Sequence, residues 1–234
     1  LPFVQLTKAD WKTDPAILLH LCRLGIPTGL QMSMITLGGM VLQSVLNGFG
    51  VVFVAGYTAA NKLYGILESA SVAFGYAMTA YMGQNRGARN AARIDAGIRA
   101  VLVLSAEFTV AIVTAMLLAG KPLLGLFLST EEAGAADALA VAYQYLMVLM
   151  AFLFALFMLQ AYRSSLQGLG EMTVPTLSGF AEMLMRMGAA LVLPVFIGKS
   201  GVFFAEGAAW VCAAALNLVW YYMRIGKIKR DMLK

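Results

Sequence analysis

Residues 83–120 read GQNRGARNAARIDAGIRAVLVLSAEFTVAIVTAMLLAG, and the architecture follows from how that string changes character. It begins polar and rich in arginine. From Ile94 to Gly120 it turns apolar, and after Arg99 the lone charge is Glu107. About 20 apolar residues at 1.5 Å each cross the hydrocarbon core of a bilayer as a helix. Backbone N–H and C=O groups find no partner in lipid, so a run of this length between polar breaks is a spanning helix. The same reading predicts six spans: Leu24–Phe53, Ala55–Met82, Ile94–Gly120, Leu139–Tyr162, Val174–Gly198 and Val202–Met223. Several exceed 20 residues, which predicts tilt or extension into the headgroups. Polar breaks at 129–134, 168–171 and 198–201 separate the later spans. The predicted class is an all-α polytopic membrane protein with six transmembrane helices.

Composition agrees. Of 234 residues, 61% are apolar or aromatic and only 12% charged, with a mean hydropathy of +0.79. A soluble domain carries about twice that charge, and no water-soluble body of this size hides so much apolar surface. Soluble enzymes, nucleic-acid binders and disordered tails are excluded. Cys22 and Cys212 stand far apart and read as small buried hydrophobes, and the 15 methionines read mostly as packing filler. The first residue is Leu1, and no signal peptide follows it, so the chain is expected to start at a cut end.

The net charge of +5 reflects topology. One face collects Lys8, Lys12, Arg23, Arg86, Arg89, Arg93, Arg99, Arg163, Arg224, Lys227, Lys229, Arg230 and Lys234, thirteen of the 17 basic residues. The other face has Lys121 and Lys199, while Lys62 and Arg186 fall inside spans. Because cytoplasmic loops are enriched in Lys and Arg, both termini are expected in the cytoplasm of a multi-pass protein of the cell membrane, with the acidic 131–137 loop outside. Asp14-Pro15 is a helix start, and Ile17, Leu18, Leu21 and Leu24 share one face. Residues 1–23 therefore read as an amphipathic helix on the cytoplasmic surface, 24–223 as the transmembrane bundle, and 224–234 as a basic cytoplasmic tail.

Ionisable groups at bilayer depth are costly and are functional candidates. Tyr57, Asn61, Tyr64 and Glu68 step by 4, 3 and 4 residues, so they form one stripe along the second span. That stripe lines either a substrate or ion cavity or a helix–helix contact. Glu182 and Arg186, four apart in the fifth span, share a face and are expected to pair, as a structural salt bridge or as a gate. Glu107 has no obvious partner and serves a basic neighbour or an ion. Glu206, early in the sixth span, is expected near the outer interface and wetted. Pro194 is expected to kink or end the fifth helix. The first span has no acid but offers Gln31 and Asn47. The cavity candidates are Gln31, Asn47, Tyr57, Asn61, Tyr64, Glu68, Glu107 and Gln160. No metal site and no catalytic set is expected: His20 is the single histidine, and no close acid pair lies within the spans, which argues against an intramembrane enzyme.

In order and spacing, several motifs resemble the carboxy-terminal half of a multidrug and toxic compound extrusion (MATE) transporter. Gly25-Ile26-Pro27-Thr28-Gly29-Leu30-Gln31 resembles the opening of that half. Asn47-Gly48-Phe49-Gly50 and Val54-Ala55-Gly56-Tyr57-Thr58-Ala59-Ala60 resemble its first outer turn. Gly83-Gln84-Asn85-Arg86-Gly87-Ala88 is similar to the loop after the second helix. Leu166-Gln167-Gly168-Leu169-Gly170-Glu171 resembles the family's Leu-Arg-Gly-x-Gly-Asp. Glu182 with Arg186, then Gly201-Val202, Ala205-Glu206 and Trp210, look like the last two helices. The likeness covers about Leu24 to Met223.

The resemblance implies one six-helix lobe of a twelve-helix secondary transporter that exports drugs and organic cations by alternating access. The driving ion would be Na⁺ or H⁺, and no other cofactor is implied. The partners would be the amino-terminal lobe, the cargo and the bilayer, with no nucleic acid. A flippase for lipid-linked oligosaccharides on a related fold is the alternative. Some branches place coupling carboxylates in the first and fourth helices of this lobe. Here 24–67 and 141–163 contain no acid, and Gln167 stands where the family usually has arginine, so a coupling site of that type is not expected.

Overall fold

Asp14 and Pro15 start the first helix as expected. The Asp14 side chain accepts a hydrogen bond from the Ala16 amide at 2.8 Å, and Pro15 sits where a missing N–H costs nothing. In this computed structural model, which describes residues 14–128 and 134–232, every regular element is helical. The helices are α1 (Pro15–Asn47), α2 (Val51–Gly87), α3 (Ala91–Gly125), α4 (Ala135–Gly168), α5 (Thr173–Ile197) and α6 (Phe204–Met232), with a 3-10 turn at Lys199–Phe203 before α6. Lys8, Lys12, Lys234, most of the proposed surface helix and the 129–133 part of the acidic loop lie outside the described residues.

The six predicted helices are present, with shifted ends. α1 stops at Asn47, not Phe53, because Gly50 adopts φ 96°, a left-handed turn that glycine reaches without a Cβ clash. Val51–Phe53 therefore open α2. α1 runs unbroken across residue 23, so the described part of the amphipathic segment, Pro15–Arg23, is one continuous helix with the first predicted span. The basic tail is likewise helical to Met232, which is buried, because Tyr221 and Met232 share a core with Ile94, Ile98 and Leu166. Pro194 does not end α5, which continues to Ile197. α2 has 37 residues and so extends about 55 Å, well beyond a bilayer core.

α4 is the central rod. Tyr145, Leu149, Leu153 and Phe157, spaced by one turn, are fully buried in it. α2 lies along α4, α1 lies along α5, and α6 bridges α4 and α5, while α3 packs outside α2 and α4. Close approach of α2 to α4 depends on Gly56, where a Cβ would sit 2.3 Å from the Ala138 carbonyl oxygen. α1 and α2 are consecutive yet barely touch, and so are α4 and α5. The α1/α5 pair and the α2/α4 pair therefore diverge, leaving a cleft between them that α6 closes at the back.

Large apolar side chains point away from the bundle: Leu118 is 81% exposed, Val195 79% and Phe196 78%. In water this surface would be aggregation-prone; in lipid it costs nothing. Five of the helices are long and apolar enough to cross a membrane. α2, which carries the polar stripe, is not among them. This is a multi-pass membrane protein.

Candidate functional site: a polar cleft backed by a chain of buried charges

The cleft encloses about 640 Å³ and is lined from α1, α2, α4, α5 and α6. On the α2 side, helical spacing brings Asn61, Tyr64 and Glu68 to its wall. Tyr64 stacks on Trp210 of α6 with ring centroids 5.5 Å apart and an interplanar angle of 24°. Both rings are buried, and both line the cleft. Glu68 is half-buried and makes no ion pair among the described residues. From the opposite wall, Gln31 of α1 is fully buried. Its Oε1 accepts from Gln167 Nε2 at 3.1 Å, and its Nε2 has no partner. Gln31 reaches so deep because α5 has Gly179 facing it; a Cβ there would lie 2.7 Å from Gln31 Cγ.

Behind these residues runs an alternating line of charge, Arg163–Glu182–Arg186–Glu206. Arg163 Nη2 donates to Glu182 Oε2 at 2.5 Å. Arg186 Nη2 donates to Glu182 Oε1 at 3.0 Å and to Glu206 Oε2 at 2.7 Å, and Arg186 Nε adds a 3.0 Å bond to the same Glu206 oxygen. Arg186 Nη1 donates to the Ile35 carbonyl of α1 at 3.0 Å. Four helices are thus stitched through one network. Glu182 and Arg186 are 3% and 4% exposed, so each nearly buried charge is held by an opposite one at the edge of the cleft.

The sequence anticipated one link of this chain, Glu182 with Arg186. It missed Arg163, which was assigned to the arginine-rich face because the apolar run stops beside it. α4 instead continues to Gly168, which places Arg163 inside the bundle, 5% exposed. Glu206 is partly exposed and lines the cleft, paired to Arg186. The 3-10 turn packs back on α5, with Gly201 against the Leu193 backbone, and α6 then carries Glu206 to Arg186.

Of the cavity candidates, Gln31, Asn61, Tyr64, Glu68 and Gln160 line the cleft, as do Glu182 and Arg186. Three lie elsewhere. Tyr57, at the end of the α2 stripe, is buried against Tyr145, with ring centroids at 4.3 Å and hydroxyls 3.0 Å apart, so it packs α2 on α4. Asn47 is exposed at the end of α1, where its Oδ1 accepts from Gln43 Nε2 at 3.1 Å. Glu107 is exposed on α3, a helix that adds nothing to the cleft. Among the described residues no three His, Cys, Asp or Glu side chains group as a metal site.

Taken together, the cleft offers three carboxylates, two guanidiniums, an aromatic wall and free amides.

Comparison with known proteins agrees with this architecture. The MatE family model matches residues 27–192. The chain is 29% identical over 233 residues to a "Probable multidrug resistance protein YpnP" and 25% identical over 234 residues to a "Probable multidrug resistance protein YoeA", both of Bacillus subtilis (strain 168). Each alignment covers 98% of this chain and 49% of the relative, so the chain spans about half the length of the curated relatives it matches. Its fold is also that of a solved structure described as the outward-facing conformation of a multidrug resistance MATE family transporter of the MOP superfamily. There the TM-score is 0.86 at 22% identity, covering 97% of this chain and 51% of that one. With most of its residues inside the family model and a bundle that superposes on half of such a transporter, the chain belongs to the MatE family.

Proposed function

We propose that this chain is the carboxy-terminal lobe of a secondary active exporter of drugs and organic cations, coupled to Na⁺ or H⁺ and working by alternating access with an amino-terminal six-helix lobe. The observation that carries the reading is the charge balance of the cleft. Glu68, Glu182 and Glu206 face it with Arg163 and Arg186, and the arginines are already spent on Glu182 and Glu206. Among the described residues Glu68 is left without an ion pair, beside the Tyr64–Trp210 stack. A carboxylate next to aromatic faces suits an organic cation, which gains both Coulomb and cation–π attraction. An acidic cleft argues against the lipid-linked oligosaccharide flippase, whose diphosphate would call for a basic one. Only a guest that binds the two membrane-facing arrangements unequally can drive exchange between them, and a carboxylate that gains or loses a cation supplies such a difference.

The same reading puts the protein in the cell membrane with both termini in the cytoplasm, supported by the nine basic residues that remain on that face among the described residues once Arg163 is counted inside.

The test is efflux of a cationic dye from exporter-deficient cells expressing the full-length protein, with Na⁺ and pH gradients imposed in turn. Glu68→Gln is expected to lower efflux at least about tenfold, with membrane insertion intact. Unchanged efflux would remove Glu68 from the mechanism, and transport of a lipid-linked sugar in place of the dye would overturn the exporter reading.

A further inference from the structure

A second cavity lies at the arginine-rich face, away from the cleft. It encloses about 350 Å³ between the α2–α3 turn, the α4–α5 turn and the last turns of α6, and its charged lining is Arg86, Arg89, Glu171, Arg224, Lys227 and Asp231. Four cations thus face two anions. Some are already committed: Arg224 Nη2 donates to Glu171 Oε1 at 3.2 Å, and Arg86 Nη1 donates to the Leu169 carbonyl. Arg89 and Lys227 have no side-chain partner among the described residues. Arg224 Nε is buried and no acceptor reaches it. Arg224 also sits over the Trp220 ring, 5.5 Å from its centroid. With the orientation proposed above, which this inference rests on, the arginine-rich face is cytoplasmic and the cavity opens toward the cytoplasmic headgroups.

The two turns that frame the cavity are instructive. α2 and α4 both end in the same hydrogen-bond pattern. After α2, Arg89 N bonds to Arg86 O and Asn90 N to Asn85 O; after α4, Gly170 N bonds to Gln167 O and Glu171 N to Leu166 O. This Schellman motif needs a left-handed residue, and glycine supplies it most cheaply. α4 uses Gly170 at φ 74°, whereas α2 uses Arg89 at φ 53°, the one described non-glycine residue with positive φ. Arg89 thus brings a guanidinium to the cavity from a backbone conformation that glycine takes at less strain.

We propose that this cavity binds a phosphate group at the membrane surface, with Arg89, Lys227 and Arg224 as its ligands, and that the phosphate belongs to an anionic phospholipid. Basic pockets between helices at such a face recognise headgroups in this way. A role confined to neutralising the carbonyl ends of α2 and α6 would show no headgroup preference.

The experiment measures lipid binding to the full-length protein in neutral detergent, by native mass spectrometry and melting temperature, with phosphatidylglycerol, phosphatidylcholine and inorganic phosphate as probes. Phosphatidylglycerol is expected to bind about tenfold tighter than phosphatidylcholine or better, and Arg89→Asn with Lys227→Gln to lose about that preference. Asparagine tolerates the left-handed backbone, so an unchanged melting temperature without lipid checks the fold. Lys121→Gln with Lys199→Gln, an equal charge change at the opposite end, is expected to leave the preference intact. Inorganic phosphate matching phosphatidylglycerol would keep the site and assign it to soluble phosphate. Equal binding of the two lipids, or equal loss from both double variants, would overturn the proposal.

Discussion

Replacing Glu182 by alanine tests the buried charge chain. Its carboxylate serves two arginines at once, Arg163 at 2.5 Å and Arg186 at 3.0 Å, with side-chain exposures of 4–6% at all three. The two cations are not equally dependent on it. Arg186 keeps Glu206 at 2.7 Å and the Ile35 carbonyl at 3.0 Å, whereas Arg163 keeps only a long 3.4 Å contact to Ser178 Oγ. Arg163 is therefore the stranded charge, and breaking a buried pair costs about 3–5 kcal/mol. At about 2–4 °C per kcal/mol for a chain of this size, Glu182→Ala should lower the melting temperature in detergent by about 6–20 °C. The second substitution then discriminates. Arg163→Met added to Glu182→Ala removes the orphan and should recover most of the loss. Arg186→Met added instead leaves Arg163 stranded and deprives Glu206 of its partner, so it should melt lower still. From the sequence alone Arg186→Met would be the expected rescue, since Arg163 was not known to be present. A Glu182→Ala/Arg163→Met protein that melts no higher than Glu182→Ala, or one rescued better by Arg186→Met, would refute the reasoning.

Three further outcomes are expected. Gly179→Leu should separate α1 from α5, because even its Cβ would lie 3.2 Å from the Gln31 backbone; overpacking of this kind costs about 1–3 kcal/mol, and the melting temperature should fall while Gly188→Leu, with open space around it, leaves it nearly unchanged. Asp95→Ala breaks the contact to Lys229 at a half-exposed carboxylate, so its effect should stay within about 1 kcal/mol and shrink further in high salt. A cysteine at Ala88, exposed in the α2–α3 turn, should react with a membrane-impermeant thiol reagent only after the cytoplasmic side is opened; labelling of intact cells would invert the proposed orientation.

Number, type and order of the helices were legible because hydropathy and polar breaks act locally. A 27-residue apolar run can satisfy its own backbone in lipid only as a helix, whatever surrounds it. Periodicity likewise put Glu182 beside Arg186 and aligned Asn61, Tyr64 and Glu68, since residues three or four apart on a helix are neighbours before any packing occurs. Boundaries were less legible: Arg163 looked like a surface charge because hydropathy drops there, and only the continuation of α4 to Gly168 shows that it lies within the bundle.

Which helix meets which is a different kind of information. Nothing in the local pattern pairs α1 with α5 and α2 with α4, so nothing in it separates Tyr57, packed on Tyr145, from Tyr64, which faces the cleft seven residues on. Glu206 and Arg163 reach the Glu182–Arg186 pair from helices 20 or so residues away along the chain, and the cavity at Arg89 needs three segments spread from residue 86 to residue 232. A helix determines its own hydrogen bonds from its own residues, but a buried charge is satisfied by whichever neighbour close packing brings to it. That neighbour exists only once the rods are assembled.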